Sequence, residues 1–248
     1  IIPCKYEDVG FFQEGLARIV LGGGIGYIDK HGREVISPFK YDKVDNYFTK
    51  ELAIAQLNDK WGIVDKHGKE IVPCKYDQIG GGHLNVSEGL ISVFLNGKCG
   101  YIDQRGQEVI PCKYDDAYSF QEGLAQVRLN GKYGFIDKQG REIVPCKYDY
   151  ISPFSEGLYN VQLKKKHGYI DKHGREITPC KYDYGGQFHE GLAVVELNNK
   201  WGYINKQGQE VIVCKYNRAE GFHEGFAMVR LNNKWGYIDK QGTEYFED

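Results

Sequence analysis

Cysteine is the first residue type in this sequence that could do chemistry, either as a metal ligand or as a nucleophile. Six of the seven cysteines recur at one position of a repeated phrase, one or two repeat lengths apart, whereas a zinc site needs closely spaced pairs such as C-x2-C. We therefore expect no metal site, and we interpret these cysteines as small, reduced and largely buried core residues. The remaining cysteine, Cys99, is interpreted in the same way. The six repeated positions are Cys4, Cys74, Cys112, Cys146, Cys180 and Cys214.

Histidine is the second such residue type, and its pattern also indicates structure. Three histidines occupy a turn position that holds glutamine in other copies, which is typical of a solvated turn: His31, His67 and His173. Catalysis needs a unique group of converging side chains, but the carboxylate, lysine and tyrosine phrases are each copied about seven times. No P-loop, G-x-S-x-G, HExxH or dinucleotide motif is present. The sequence therefore predicts no enzyme, no catalytic residue and no cofactor.

A lysine that precedes a tyrosine is the most regular charged feature. These lysines could line a ring that attracts anions, or each could make a local ion pair and lie along its own part of the surface. The local interpretation is favoured because each lysine precedes a Tyr and usually an Asp or Glu. The seven are Lys5, Lys40, Lys75, Lys113, Lys147, Lys181 and Lys215.

The composition excludes several classes of function. Lys and Arg total 32 against 34 Asp and Glu, a net charge of -2, which argues against a surface that binds nucleic acid. No apolar run reaches the roughly 18 residues of a membrane-spanning helix, and no signal peptide is visible at the start. Unpaired cysteines favour a reducing, cytoplasmic compartment, although the localisation stays open.

Three phrases show that the chain is one repeated unit of about 34 residues, present seven times. One is Glu-Gly-Leu-Ala, as at 122–125, and another is Pro-Cys-Lys-Tyr-Asp, as at 111–115. The third centres on a glycine, found at Gly26, Gly62, Gly100, Gly134, Gly168, Gly202 and Gly236. We therefore predict a single repeat domain over residues 1–248, with one unit split between the two ends of the chain.

The pattern inside a unit predicts β-strands. In the fourth unit, residues 125–129 alternate apolar and polar, and Asn130-Gly131 is a strong hairpin signal because a type I′ turn needs positive φ twice. A second strand follows at 133–137, then an Asp-x-x-Gly turn and a third strand at 142–148. Each unit is thus predicted to be a three-stranded antiparallel meander, with its first strand outermost and a short fourth element around 118–120.

The strands that are apolar on both faces must be covered by neighbouring units. This predicts sheets stacked either around a propeller-like ring or along an open β superhelix. The chain begins within a third strand, at 1–6, and stops as the last third strand begins, at 244–246. Pairing of these two segments would close a ring, so the ring is favoured.

The repeated units, best seen at 232–242, resemble the WG (KWG) repeat family of mainly bacterial proteins. The Trp-Gly pair is intact at Trp61-Gly62, Trp201-Gly202 and Trp235-Gly236, and other residues replace the tryptophan elsewhere. The resemblance covers essentially the whole chain. It implies a β-rich binding or scaffolding repeat without a shared catalytic residue.

We therefore expect a monomeric module that binds another protein, with neither membrane nor nucleic acid as partner. A carbohydrate-binding module that uses exposed aromatic rings, or a purely structural spacer, is the alternative. Departures from the repeated unit are the candidate contact residues, because shared positions hold the fold. These are a long loop after Asp77, expected to be a mobile surface loop, and the one basic run. The candidate residues are Gly80, Gly81, Gly82, His83, Leu84, Val86, Lys164, Lys165 and Lys166.

Overall fold

A computed structural model describes residues 4–45, 48–49, 51–82 and 84–246. Every regular element within these ranges is a β-strand, and the strands form seven four-stranded antiparallel sheets. No helix in the described ranges is long and apolar enough to cross a membrane. The prediction of seven all-β repeats is confirmed.

The turns form where the sequence indicates them. Asn198 and Asn199 have φ of 52° and 61°, the left-handed conformation that a type I′ hairpin requires. Glu122 and Gly123 have φ of 50° and 82°, so the Glu-Gly phrase is itself a tight turn, closed by a bridge between Gln121 and Leu124. Two positive-φ turns therefore fix the ends of the first long strand in these repeats.

The chain divides into two compact parts, one of residues 1–130 with 136–141 and the other of residues 131–135 with 142–248. From here on we call these parts the first unit and the second unit, and we call the seven copies repeats. The first unit contains three complete sheets. Their strands are Asp8–Val9 (β1), Leu16–Leu21 (β2), Gly24–Asp29 (β3), Glu34–Ile36 (β4), Lys43–Val44 (β5), Leu52–Leu57 (β6), Lys60–Asp65 (β7), Glu70–Tyr76 (β8), Gln78–Ile79 (β9), Leu90–Leu95 (β10), Lys98–Asp103 (β11) and Glu108–Tyr114 (β12).

The fourth sheet along the chain has the order β13-β14-β15-β16, and three complete sheets of the second unit follow it. The fourth-sheet strands are Asp116–Ala117 (β13), Leu124–Leu129 (β14), Lys132–Asp137 (β15) and Glu142–Tyr148 (β16). The remaining strands are Tyr150–Ile151 (β17), Leu158–Leu163 (β18), Lys166–Asp171 (β19), Glu176–Tyr182 (β20), Tyr184–His189 (β21), Leu192–Leu197 (β22), Lys200–Asn205 (β23), Glu210–Tyr216 (β24), Arg218–Ala219 (β25), Phe226–Leu231 (β26), Lys234–Asp239 (β27) and Glu244–Tyr245 (β28).

Two details of the predicted meander are wrong. The fourth strand lies at Asp116–Ala117, directly after the third strand of the preceding repeat, and not around residues 118–120. It pairs with β14, so the first long strand lies inside its sheet and not at the outer edge. Two residues are too few to show an alternating pattern, which is why the sequence conceals this strand.

The glycine of the Trp-Gly phrase lies under a bulge. In the sixth sheet the pairing of β23 with β24 shifts register between Trp201 and Tyr203. A Cβ on Gly202 would lie 2.5 Å from the carbonyl oxygen of Ile212 and 2.7 Å from the amide nitrogen of Cys214. Only glycine fits beneath this backbone crossing.

Within each unit, apolar side chains of one sheet pack against the next sheet. In the second unit, Val194, Tyr203 and Tyr216 of the sixth sheet form one buried cluster with Ala227 and Val229 of the seventh. Tyr203 and Tyr216 are fully buried. This is the sheet-on-sheet packing predicted from strands that are apolar on both faces.

Candidate functional site

The long loop after Asp77 is anchored and does not lie loosely on the surface. Gly80 is buried, and Gly81 and Gly82 form an exposed turn with φ of 78° and 101°. Leu84 is 6% exposed and belongs to a buried cluster of the first unit, against which Val86 packs. The expectation of exposed apolar contacts at Leu84 and Val86 is therefore wrong, and His83 lies outside the described residues. The loop buries these side chains because their apolar area stabilises the core more than it would stabilise a surface.

The burial of Leu84 leads to a stability prediction. We expect Leu84→Ala to lower the free energy of unfolding by about 2–3 kcal/mol, because it leaves a cavity in a packed cluster. Urea titration followed by tryptophan fluorescence measures the change. Asn85→Ala is the control, since Asn85 is exposed and makes one surface hydrogen bond to Ser119, and we expect a loss below about 1 kcal/mol. Equal stabilities of wild type and Leu84→Ala would contradict the anchored loop.

The basic run is a hairpin turn and not a basic patch. Lys164 and Lys165 have φ of 51° and 65° between β18 and β19, in place of the usual asparagine turn. The amide of Lys164 donates to Asp149 Oδ2 at 2.7 Å, and the Lys166 ammonium pairs with Asp183. The same type of pair recurs at Lys60–Asp77, Lys98–Asp115 and Lys132–Asp149. Lys166 is thus part of the repeated framework, and only the side chains of Lys164 and Lys165 extend from the surface.

The repeated lysines make local contacts, as the favoured interpretation predicts. Each ammonium lies about 5 Å from the ring centroid of the tyrosine that follows it, as for Lys75 over Tyr76 at 5.0 Å and Lys215 over Tyr216 at 5.2 Å. Lys215 also pairs with Glu244 at 2.7 Å, and Lys5 with Glu34 at 2.9 Å. The Lys215–Glu244 pair joins β24 to the seventh sheet.

The described cysteines form no disulfide with one another, but most are less buried than expected. Cys4 is exposed and five other repeated cysteines are half-buried, whereas Cys99, at the position of the tryptophan, is fully buried. Burial raises the pKa of the Cys99 thiol to about 12. The described residues contain no group of three or more His, Cys, Asp or Glu side chains that could hold a metal ion.

Glutamate and tyrosine side chains join successive sheets in a repeated way. In the second unit, Glu190 Oε2 accepts from the amide of Gly225 at 3.0 Å and pairs with the Lys240 ammonium at 2.8 Å. The Lys240 contact, followed by the Gly225 amide, holds the pKa of Glu190 below its usual range. The hydroxyl of Tyr203 donates to the carbonyl of Glu220 at 2.6 Å. These contacts link the sixth sheet to the seventh.

The outer face of the last sheet is apolar and exposed, and we call it the terminal aromatic face. It presents large side chains that are 38% to 55% exposed: Phe226, Met228, Trp235, Tyr237 and Tyr245. Two matching positions of the sixth sheet are buried beneath the seventh: Val194, which matches Met228, is 8% exposed, and Tyr203, which matches Tyr237, is 0% exposed. A contiguous apolar patch of this kind is typical of an interaction surface.

A cleft of about 410 Å³ in the second unit also combines aromatic and polar groups. The rings of Tyr184 and Trp201 lie 5.2 Å apart along it, and Tyr184 is 43% exposed. Gln187 and Arg218 add polar groups to the lining. Neither this cleft nor the terminal aromatic face was predicted from the sequence. The signal for the cleft is the glycine pair at 185–186, which no other repeat has at this position.

A polar network next to this cleft favours the neutral form of His167 with the proton on Nδ1. His167 Nδ1 lies 2.9 Å from Asn160 Oδ1, and Nε2 lies 3.1 Å from the Gln162 amide nitrogen. The neutral ring can donate to Asn160 and accept from Gln162. A Cβ on Gly185 would come within 2.5 Å of the Asn160 amide nitrogen, so the glycine makes room for the network.

The network predicts a pH-dependent stability. Burial lowers the pKa of His167 below the ordinary value of 6.5, so the unfolded chain binds a proton more readily than the folded chain. The free energy of unfolding should therefore fall as the pH drops below about 6.5 towards the lowered pKa. Urea titrations between pH 7.5 and 5.5 test this, with His167→Gln as the control, for which we expect a shallower dependence on pH. Equal slopes for the two proteins would contradict it.

The comparisons with known proteins identify the class of this fold. The sequence profile of the WG containing repeat matches residues 1–24, 25–61, 61–99, 100–133, 133–166, 168–201 and 201–235. The chain belongs to the WG-repeat family. The resemblance stated from the sequence is confirmed.

Other likenesses are distant. No curated protein matches the chain in sequence. A crystal structure of the eukaryotic initiation factor is similar at 10% identity and a TM-score of 0.40, covering 97% of this chain and 75% of that one. The AfRom2 CNH domain is similar at 9% identity and 0.36, covering 98% and 94%, and Hsv2 of Kluyveromyces lactis at 8% and 0.34, covering 77% and 71%. Likenesses at this level carry no argument about function.

Proposed function

We propose that this WG-repeat chain is a non-catalytic module that binds another protein through the terminal aromatic face. The observation that carries the proposal is the exposure of Met228, Trp235 and Tyr237 on one side of the last sheet. Interfaces are enriched in aromatic residues and methionine at their centres, and the face has this composition. The repeated residues around it supply a rigid support and no reactive group.

Affinity capture from the source organism tests the proposal. We expect immobilised wild type to retain proteins that a Tyr237→Glu variant loses, because a carboxylate at the centre of the face must be desolvated on binding. Tyr150→Glu is the matched control, since Tyr150 is 48% exposed on another sheet and should leave capture unchanged. Identical sets of captured proteins for all three would overturn the terminal aromatic face as the binding surface, and capture of no protein by wild type would favour a structural spacer.

Carbohydrate binding is the second candidate, and the cleft beside Tyr184 and Trp201 favours it. Two tilted rings with Arg218 and Gln187 nearby suit the apolar face and the hydroxyls of a sugar. Oligosaccharide titration of the tryptophan fluorescence tests this, with Tyr184→Ala as the variant that should lose the signal. An unchanged spectrum over the titration would remove this candidate.

The propeller-like ring stays a prediction. It requires residues 1–6 to pair near residues 244–246, and residues 1–3 lie outside the described residues. Deleting residues 1–8 does not isolate the question, because Tyr6 packs against the buried cluster of Ala17, Ile19 and Ile28 within the first unit. A ring closed within one chain would cover the terminal aromatic face, so oligomeric state measured with variants of that face is the better test.

A further inference from the structure

The contact between the sixth and seventh sheets of the second unit has three parts. The ring of Tyr203 packs edge-on against Phe222 with centroids 4.9 Å apart, and its hydroxyl bonds the backbone of the seventh sheet. Glu190 holds the Gly225 amide and the Lys240 ammonium. Val194 packs in one buried cluster with Ala219 and Phe222. The sixth sheet therefore has a defined set of side chains for receiving another sheet.

The seventh sheet carries the same receiving set without a sheet upon it. Tyr237 takes the place of Tyr203 and is 55% exposed, and Met228 takes the place of Val194 and is 38% exposed. Glu224 takes the place of Glu190, and its carboxylate has no hydrogen-bond partner among the residues that the structure describes. The terminal aromatic face thus matches the surface by which the sixth sheet contacts the seventh.

The first sheet of the first unit carries the opposite set, also uncovered. Phe12 takes the place of Phe222 and is 45% exposed, and Val9 takes the place of Ala219 and is 59% exposed. Lys30 takes the place of Lys240 and is exposed, with no ion pair among the described residues. The charges of the two surfaces are complementary. The Glu224 carboxylate could pair with the Lys30 ammonium as Glu190 pairs with Lys240.

The segment that precedes β1, which contains Tyr6, is compatible with binding of this sheet to another sheet. Tyr6 packs on Ala17, Ile19 and Ile28, as Tyr216 packs on Ala227, Val229 and Ile238 in the second unit. A receiving sheet therefore needs to supply only the contacts of its two central strands, which here are β26 and β27. Four of the five residues of the terminal aromatic face lie on those strands: Phe226, Met228, Trp235 and Tyr237.

We propose that the terminal aromatic face of one copy binds the first sheet of a second copy, with Tyr237 against Phe12 and Glu224 beside Lys30. The proposal rests on the proposed function as a protein-binding module and names its partner. Because the two surfaces differ, the association is head-to-tail and can continue along a series of copies. It is an alternative to the expected monomer, which stays a prediction.

Mixing two singly blocked copies tests the proposal. Tyr237→Glu blocks the receiving face and Phe12→Lys blocks the first sheet, so each variant alone should associate about 30-fold more weakly than wild type. An equimolar mixture should form a dimer and nothing larger, because the intact Phe12 of one copy meets the intact Tyr237 of the other. Sedimentation velocity over a range of concentrations measures all three, and wild type should form larger species as the concentration rises.

The controls separate the possible failures. Tyr150→Glu should associate like wild type, and thermal unfolding followed by circular dichroism should show that every variant folds. Wild type that stays monomeric at all concentrations, or a mixture that forms no dimer, would overturn the second copy as partner. If Tyr237→Glu still loses captured proteins in that case, the proposed function stands with another partner.

A disulfide test distinguishes the closed ring from association between copies. The variant combines Phe12→Cys and Tyr237→Cys in a Cys4→Ser background, which removes the exposed native thiol of the first sheet. Oxidation should link separate copies into a ladder of covalent oligomers on a non-reducing gel. A disulfide formed within a monomer would overturn the second copy as partner and would support the closed ring.

Discussion

Gly202→Ala should lower the free energy of unfolding by about 3 kcal/mol, one of the largest effects of a single methyl group in this chain. The added Cβ would lie 2.5 Å from the carbonyl oxygen of Ile212, 2.7 Å from the amide nitrogen of Cys214 and 2.8 Å from the carbonyl carbon of Val213. These are backbone atoms of the neighbouring strand β24, so no side chain can turn aside to relieve the contact. The bulge at this point must open, and ladder hydrogen bonds of the sheet are lost with it.

The measurement is the urea midpoint of Gly202→Ala against Gly221→Ala. Gly221 is a matched control in the same unit, because its added Cβ would meet only a His189 side-chain carbon at 3.8 Å and its φ lies outside the left-handed region. We expect the control to stay within about 0.5 kcal/mol of wild type. Similar midpoints for the two variants would mean that the Trp-Gly glycine is not required by close approach of the backbone.

This glycine shows how far the sequence predicts the fold. Its recurrence and the turn phrases indicate the number of repeats, their antiparallel strands and the hairpin turns, since each depends on local conformation. The bulge that explains the glycine is a contact between strands about ten residues apart. Spacing alone does not show it.

Exposure is the property that local sequence predicts least. Tyr203 and Tyr237 lie in the same phrase, Trp-Gly-Tyr-Ile, yet Tyr203 is 0% exposed and Tyr237 is 55% exposed. The difference depends on whether another sheet covers the residue. The residues next to it in sequence do not indicate whether it is covered. The long loop differs from its prediction for a related reason: three consecutive glycines indicate mobility, whereas Leu84, two residues later, packs in the core.

The surroundings of the tryptophan position in the Trp-Gly phrase also differ between repeats. The chain tolerates Cys99 and His167 at this position, because the space around it differs between repeats. Cys99 is fully buried, His167 makes two polar contacts, and Trp235 is 46% exposed. The glycine after it has backbone atoms within 3 Å of its would-be Cβ in every repeat, so its environment is constant. The residue that the fold requires is therefore the glycine, and the aromatic position is free to vary with its surroundings.

The phenylalanine that precedes the Glu-Gly turn provides the second prediction of large effect. Phe188→Ala should lower the free energy of unfolding by about 4 kcal/mol, and Phe154→Ala, at the same position of the preceding repeat, by about 1 kcal/mol. Phe188 is 1% exposed and packs edge-on against Tyr169 with centroids 5.2 Å apart, so its removal leaves a cavity between two sheets. Phe154 is 43% exposed and rests on Tyr159, whose ring lies against Phe135.

Both variants belong to the second unit and delete the same atoms, so the difference in their urea midpoints isolates burial from residue type. A difference of about 3 kcal/mol is expected between them, because water already reaches one ring and not the other. If the two variants lost equal stability, the inter-sheet packing of Phe188 against Tyr169 would contribute no more than a surface contact. The same comparison bears on Phe12, which is 45% exposed and should behave like Phe154 in an isolated copy. In associated copies Phe12→Ala should cost more, because the ring of a second copy's Tyr237 then lies upon it.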